Sequence, residues 1–222
     1  MTTLYLASTS PARLALLRAA GIEPVALPSS VDEDAAVARA ESERDAPLSP
    51  SEMVLLLAKA KAEAVAGGAA ADLDGFVLGG DSAFELDGVV YGKPHTVEVA
   101  RERWHRQRGR TGTLFSGHWL IDNRTDAPAR GAGVGHVASA TVSFVPDLGD
   151  DEIEAYLRSG EPLEVAGAFT IDSLGGPFID RIDGDPSTVI GLSLPTLRRL
   201  LGSFGLPMHQ LWNRAGLVEG AY

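Results

Sequence analysis

The chain has 222 residues, no cysteine, and 30 acidic against 19 basic side chains, a formal charge of −11 at neutral pH. An apolar fraction of 45% with 22% charged residues suits a soluble globular protein of one or two domains and excludes wholesale disorder. Without cysteine there is no disulfide framework, thiolate zinc site or cysteine nucleophile, and the acidic balance opposes a surface for duplex nucleic acid.

The start of the chain lacks the basic and apolar regions of a signal peptide, so a cytoplasmic location is expected. No run approaches the ~18 apolar residues of a membrane span, so no membrane partner is expected either. Residues 4–7 read as a short strand. Ser10 and Pro11 then supply an N-cap and a first-turn proline for a helix that Gly21 stops. Residues 24–27 suggest a second strand. Residues 31–52 carry seven acids against two arginines with little periodicity, and are expected to be a largely exposed connection. Residues 51–66 form a strong helix pattern with a serine cap. Residues 76–80 read as a buried strand, and residues 83–91 as a hairpin turning at Asp87-Gly88.

A helix is expected over residues 96–108, capped by Thr96. Strands follow near residues 113–121 and 138–145, then a helix over 150–159. Residues 169–171 and 178–182 are short strand candidates, and residues 194–204 a last helix. Strands interleaved with helices predict an α/β protein with a mixed sheet flanked by helices. No clear linker divides residues 1–222, so a single domain is expected.

Several residues could carry chemistry. In Ser8-Thr9-Ser10-Pro11-Ala12-Arg13 a strand end meets a helix start, where free N–H groups, two serines and Arg13 would make an anion cradle. Read alone, the segment supports a simple helix cap with a solvated arginine instead. Asp81, in Gly79-Gly80-Asp81-Ser82, is placed just beyond a strand end, where it would serve as a base or metal ligand; a turn aspartate is an equal alternative. Lys61 lies on an apolar helix face, and a buried lysine usually has an anionic partner. Lys93, before Pro94, reads as an exposed turn lysine or a phosphate ligand, and Glu33 as part of a solvated acidic face. The five histidines show no zinc spacing, and no nucleophile elbow or Walker A loop occurs. Trp104, Trp119 and Trp212 read as core or interface residues.

Taken together the segments resemble the Maf family of nucleotide pyrophosphatases. The likeness rests on LYLASTSPARLALLRAAGI (4–22), VDED (31–34), LAKAKAEAVA (57–66), VLGGDSAFELDGVVYGKP (77–94) and GRTGTLFSG (109–117). It continues through LGDDEIEAYLRSGEPLEVAGAFTID (148–172) and IDGDPSTVIGLSLPTLRRLL (182–201). The resemblance implies two lobes around a deep cleft, and hydrolysis of nucleoside triphosphates between the α- and β-phosphates with Mg²⁺ or Mn²⁺. It places Ser8, Ser10 and Arg13 on a triphosphate-binding turn. Glu33, Lys61, Asp81 and Lys93 fall on a charged catalytic cluster, with Glu33 and Asp81 as metal ligands and Asp81 as the presumed base. Members often dimerise, so a homodimer is an expectation, and the family's association with septum formation leaves a nucleotide-binding regulator as the alternative function.

Departures cluster where such proteins select a base. Ala12 stands where arginine or tryptophan is common, Ser82 where threonine or glutamine is, and Asp172 where glutamine or an acid is. Asp172 would accept from guanine N1–H and N2–H₂, whereas uracil and thymine offer only N3–H. The preferred base stays open.

Overall fold

A computed structural model describes residues 2–68 and 72–214. Strand β1 (Leu4–Ala7) enters the turn before helix α1 (Pro11–Ala19), where the Ser10 hydroxyl accepts from the Arg13 amide and Pro11 sits at the first helical position. After β2 (Val25–Ala26) the chain forms helix α2 (Glu33–Arg44) rather than the expected exposed connection. Its ends carry the signals: Asp32 caps it, Glu33 and Asp34 occupy the first turn, Arg44 the last, and Asp45 closes it in the left-handed region. Only Ala36 is buried, so the helix has no apolar stripe to read. Helix α3 (Pro50–Ala66) begins with Ser49 and Glu52 bonding each other's backbone in a capping box, two residues before the expected serine cap.

Residues 76–80 and 83–86 are not separate elements. They form one strand, β3 (Phe76–Leu86), which turns through Asp87 and Gly88, both at positive φ, into β4 (Val89–Tyr91). Helix α4 (Val97–Gln107) and strand β5 (Thr111–Asp122) follow close to expectation; strand β6 (Ala132–Phe144) starts well before the expected residue 138, because residues 132–137 pair with β5 at 117–122; helix α5 (Asp150–Arg158) then forms as expected. Residues 169–171 are irregular, because Gly167 and Ala168 just before them both adopt positive φ. Strand β7 (Ile179–Asp183), the short helix α6 (Pro186–Ile190) and helix α7 (Leu194–Ser203) complete the described strands and α-helices.

The seven strands form one mixed sheet, ordered β2-β1-β3-β5-β6-β7, with β4 on β3. β1 pairs parallel with β2 and β3, and every other pairing is antiparallel. Phe76 and Leu78 pack with Leu17 of α1 and Leu197 and Leu201 of α7, while Val77 points the other way onto Ala62 and Val65 of α3. A separate aromatic core joins Phe84, Trp104, Phe144, Tyr156 and Phe169 through edge-to-face contacts, so Trp104 is a core residue as expected.

Two glycines set the depth of α3. A Cβ on Gly79 would lie 2.0 Å from the Ala58 carbonyl oxygen, and one on Gly117 2.2 Å from that of Val54. Their absence lets the backbone of α3 press directly onto β3 and β5, which brings Lys61 within reach of the strand.

Candidate active site

β3 outruns its parallel partner. Its register with β1 covers residues 76–79 and its pairing with β4 covers 84–86, so residues 80–83 have no strand partner on that edge among the described residues. The strand's two-residue period turns Asp81 to the α3 side and Ser82 to the α1 side. A cavity of about 1050 Å³ lies over this gap. Asp81 is therefore inside a strand, neither beyond a strand end nor in a turn as expected.

On the α3 side, the Lys61 ammonium lies 2.7 Å from Asp81 Oδ1 and 2.8 Å from Glu33 Oε1. Lys61 and Asp81 are buried, whereas Glu33, on the first turn of α2, is half exposed. The expectation of an anionic partner for Lys61 is met twice over. Burial pushes the Asp81 carboxyl above its usual range, against the opposing pull of Lys61 and Arg13.

On the α1 side, Arg13 is buried rather than solvated. Its guanidinium donates from Nε to the Gly191 carbonyl (2.7 Å) and from its two terminal nitrogens to Ser8 Oγ (3.1 Å) and Ser82 Oγ (2.8 Å). Burial lowers its pKa, while Asp81 and Glu33 counter that, and it remains a cation. The Ser10 hydroxyl serves its cap, and the Ser10 amide donates to Ser8 Oγ at 3.1 Å. Both readings of this turn hold in part: it caps a helix, and it fixes a buried cation facing the cavity.

Ala12, Lys93 and Asp172 also line the cavity. Lys93 is exposed at its rim, 3.6 Å from Glu164, and His95 reaches the same carboxylate at 3.6 Å from a left-handed backbone conformation. Ser8, Ser10, Ala12, Arg13, Glu33, Lys61, Asp81, Ser82, Lys93 and Asp172 thus border one space.

Two residues of the surrounding network carry no warning in the sequence. Ser116, opposite Ser82 in the β3–β5 register, lies 3.0 Å from Ser82 Oγ and donates to the Thr188 carbonyl at 2.9 Å. His118 is fully buried, accepts from the Ser193 amide at Nε2 (2.8 Å), and faces the His136 carbonyl through Nδ1 (3.3 Å), which puts its proton on Nδ1. Burial, reinforced by the charge of Arg13, pushes its pKa down to about 4. Only the strand register could have revealed either residue.

Among the described residues no group of three or more His, Asp or Glu is arranged to hold a metal. Glu33 and Asp81 nevertheless converge on one ammonium. Two carboxylates suit a Mg²⁺-like ion, which keeps several waters and completes its shell with substrate phosphates rather than an all-protein cage.

Three cationic side chains, Arg13, Lys61 and Lys93, and the carboxylates of Asp81 and Glu33 thus line one roomy cavity. The chain belongs to the family described as Maf-like protein, which it matches over residues 3–204. Its relatives include the nucleoside triphosphate pyrophosphatase of Leifsonia xyli subsp. xyli, 66% identical over 215 residues, covering 96% of this chain and 98% of that protein. The protein of the same name from Rhodococcus jostii is 49% identical over 99% of this chain and all of its own length. That of Nocardia farcinica is 51% identical over 95% of this chain and 97% of its own. No described helix is long and apolar enough to cross a membrane.

Proposed function

We propose that the protein hydrolyses nucleoside triphosphates to the nucleoside monophosphate and pyrophosphate. The names of its relatives support the reaction class. The observation that carries the reading is the buried Lys61 ammonium bridging Asp81 and Glu33 in the cavity that Arg13 and Lys93 also line.

A triphosphate brings about four negative charges near neutral pH, so a nucleophile approaches it only where charge is offset by fixed groups. Arg13, already oriented by Ser8, Ser82 and Gly191, offers a rigid donor face for phosphate oxygens. Lys93 can exchange its long, exposed contact with Glu164 for a phosphate at little cost. Lys61 orients Asp81 and keeps two carboxylates compatible in one site. Asp81 takes a proton from a water whose oxygen bonds to the α-phosphorus; the bond from that phosphorus to the bridging oxygen breaks, and pyrophosphate leaves. Glu33 and Asp81 are the groups that would hold Mg²⁺ or Mn²⁺ together with phosphate oxygens, where the ion supplies charge neutralisation and polarises the reacting centre.

The test is a panel of purine and pyrimidine triphosphates with and without each divalent ion, run in ¹⁸O-labelled water. Release of pyrophosphate with the label in the monophosphate is expected. Label in the pyrophosphate would move the attack to the β-phosphorus, and binding without turnover would favour the regulatory role.

A further inference from the structure

Behind one wall of the cavity lies a carboxylate that the reaction does not use. Glu161 opens a 3-10 turn (Glu161–Glu164) after α5. Its Oε1 accepts from Tyr156 Oη (3.0 Å), from the Thr170 hydroxyl and from the Gly175 amide (3.1 Å). Its Oε2 accepts from Ser173 Oγ (2.7 Å) and the Leu174 amide (3.2 Å). An ionised carboxylate has roughly four lone-pair sites, so five donors saturate it. Both ends of residues 170–175 are thereby tied to one atom pair, itself fixed to α5 through Tyr156. The packing behind the tie is equally tight, since a Cβ on Gly175 would lie 2.6 Å from Tyr156 Oη and 2.7 Å from the Thr170 carbonyl oxygen.

What this clamp holds is Thr170, Ile171 and Asp172, which line the cavity beside Phe169. That wall contains no cation, whereas Arg13, Lys61 and Lys93 come from other elements. A polyphosphate goes to the cations, which leaves the cation-free wall to the uncharged part of a nucleotide. We propose that Glu161 is a positioning residue for the nucleoside: its carboxylate clamps residues 170–175 so that the Thr170–Asp172 wall meets sugar and base. The proposal rests on the nucleotide-hydrolysing reading above. Burial alone would raise the Glu161 carboxyl, yet the hydrogen bonds from Thr170, Ser173, Leu174 and Gly175 hold it below its usual range, as an ionised clamp requires.

The test compares the wild-type chain with Glu161→Gln, whose amide nitrogen is a donor where at least two donors need an acceptor, and with Ser173→Ala, which removes one exposed bond and leaves the core intact. Binding of non-hydrolysable α,β-methylene guanosine and uridine triphosphates is measured by calorimetry beside inorganic triphosphate, a probe with no nucleoside. Glu161→Gln should weaken both nucleotides roughly tenfold and Ser173→Ala about threefold, with inorganic triphosphate unchanged. Hydrogen exchange at the Leu174 and Gly175 amides should accelerate in Glu161→Gln. Equal weakening of nucleotide and inorganic triphosphate, or no change in either, would overturn the proposal. This pattern across the variants, beside a wild-type chain that releases no pyrophosphate, would sink the hydrolytic reading and leave the clamp standing.

Discussion

At Asp81 burial and charge oppose each other, and the balance predicts a pH profile. Desolvation raises the carboxyl, with Lys61 and Arg13 pulling it back. A general base works only when deprotonated, so kcat/KM should rise with pH along an acid limb displaced above the ordinary aspartate value of ~3.9. Asp81→Asn should lower kcat by roughly two to four orders of magnitude. Turnover retained in a folded Asp81→Asn enzyme would reject Asp81 as the base. His118 gives the complementary effect on stability. Its folded pKa of about 4 lies below the unfolded value of 6.5, so the unfolded chain binds the extra proton between those limits. Stability from this group is full above about pH 6.5 and is lost as pH falls towards 4, by about 3 kcal/mol. Denaturant titrations of wild type and His118→Gln between those limits check it: the variant should show the shallower pH dependence. Residues of these two kinds differ in legibility. Lys61 announced itself as a charge on an apolar helix face, whereas His118 and Ser116 are defined by which β3 residue they oppose.

Among the elements, α3 carries Lys61 to the strand and owes its depth to Gly79 and Gly117. Gly79→Ala would put a methyl group 2.0 Å from the Ala58 carbonyl, a backbone atom that cannot rotate away. The helix must lift or the strand must bend, at a cost of about 3 kcal/mol or more, and the Lys61–Asp81 contact lengthens with it. A lower melting temperature with a fall in kcat at least as large as for Lys61→Ala is expected; a stable, fully active Gly79→Ala protein would show that α3 does not set this distance. The strands and helices that bury a face were readable, because apolar periodicity records burial. Helix α2 was not, since only Ala36 is buried, although its capping Asp32 and acidic first turn stood in plain sight. Residues 169–171 misled in the opposite direction. Phe169 and Ile171 flanking Thr170 suggest a strand, but positive φ at Gly167 and Ala168 and the bond from Thr170 to Glu161 hold them as a wall.

For the whole molecule, the ordered sequence blocks announced that distant segments converge, while the place of convergence follows from one strand outrunning its neighbour. The net charge then sets a field that no single residue explains. A chain of −11 repels a polyanionic substrate at long range, and the two buried cations, Arg13 and Lys61, face Asp81 or Glu33 and so contribute little beyond the cavity. The Debye length falls from ~30 Å at 0.01 M salt to ~10 Å at 0.1 M, so added salt screens this repulsion before it weakens short contacts inside the site. Over that interval KM for a nucleoside triphosphate, measured at constant free divalent ion, should fall while kcat stays level. Neutralising distant surface acids, for example Asp147 and Glu152 as the amides, should flatten the trend without changing kcat. A KM that rises steadily with salt from the lowest concentration would instead mean that the local field of Arg13, Lys61 and Lys93 outweighs the charge of the rest of the chain.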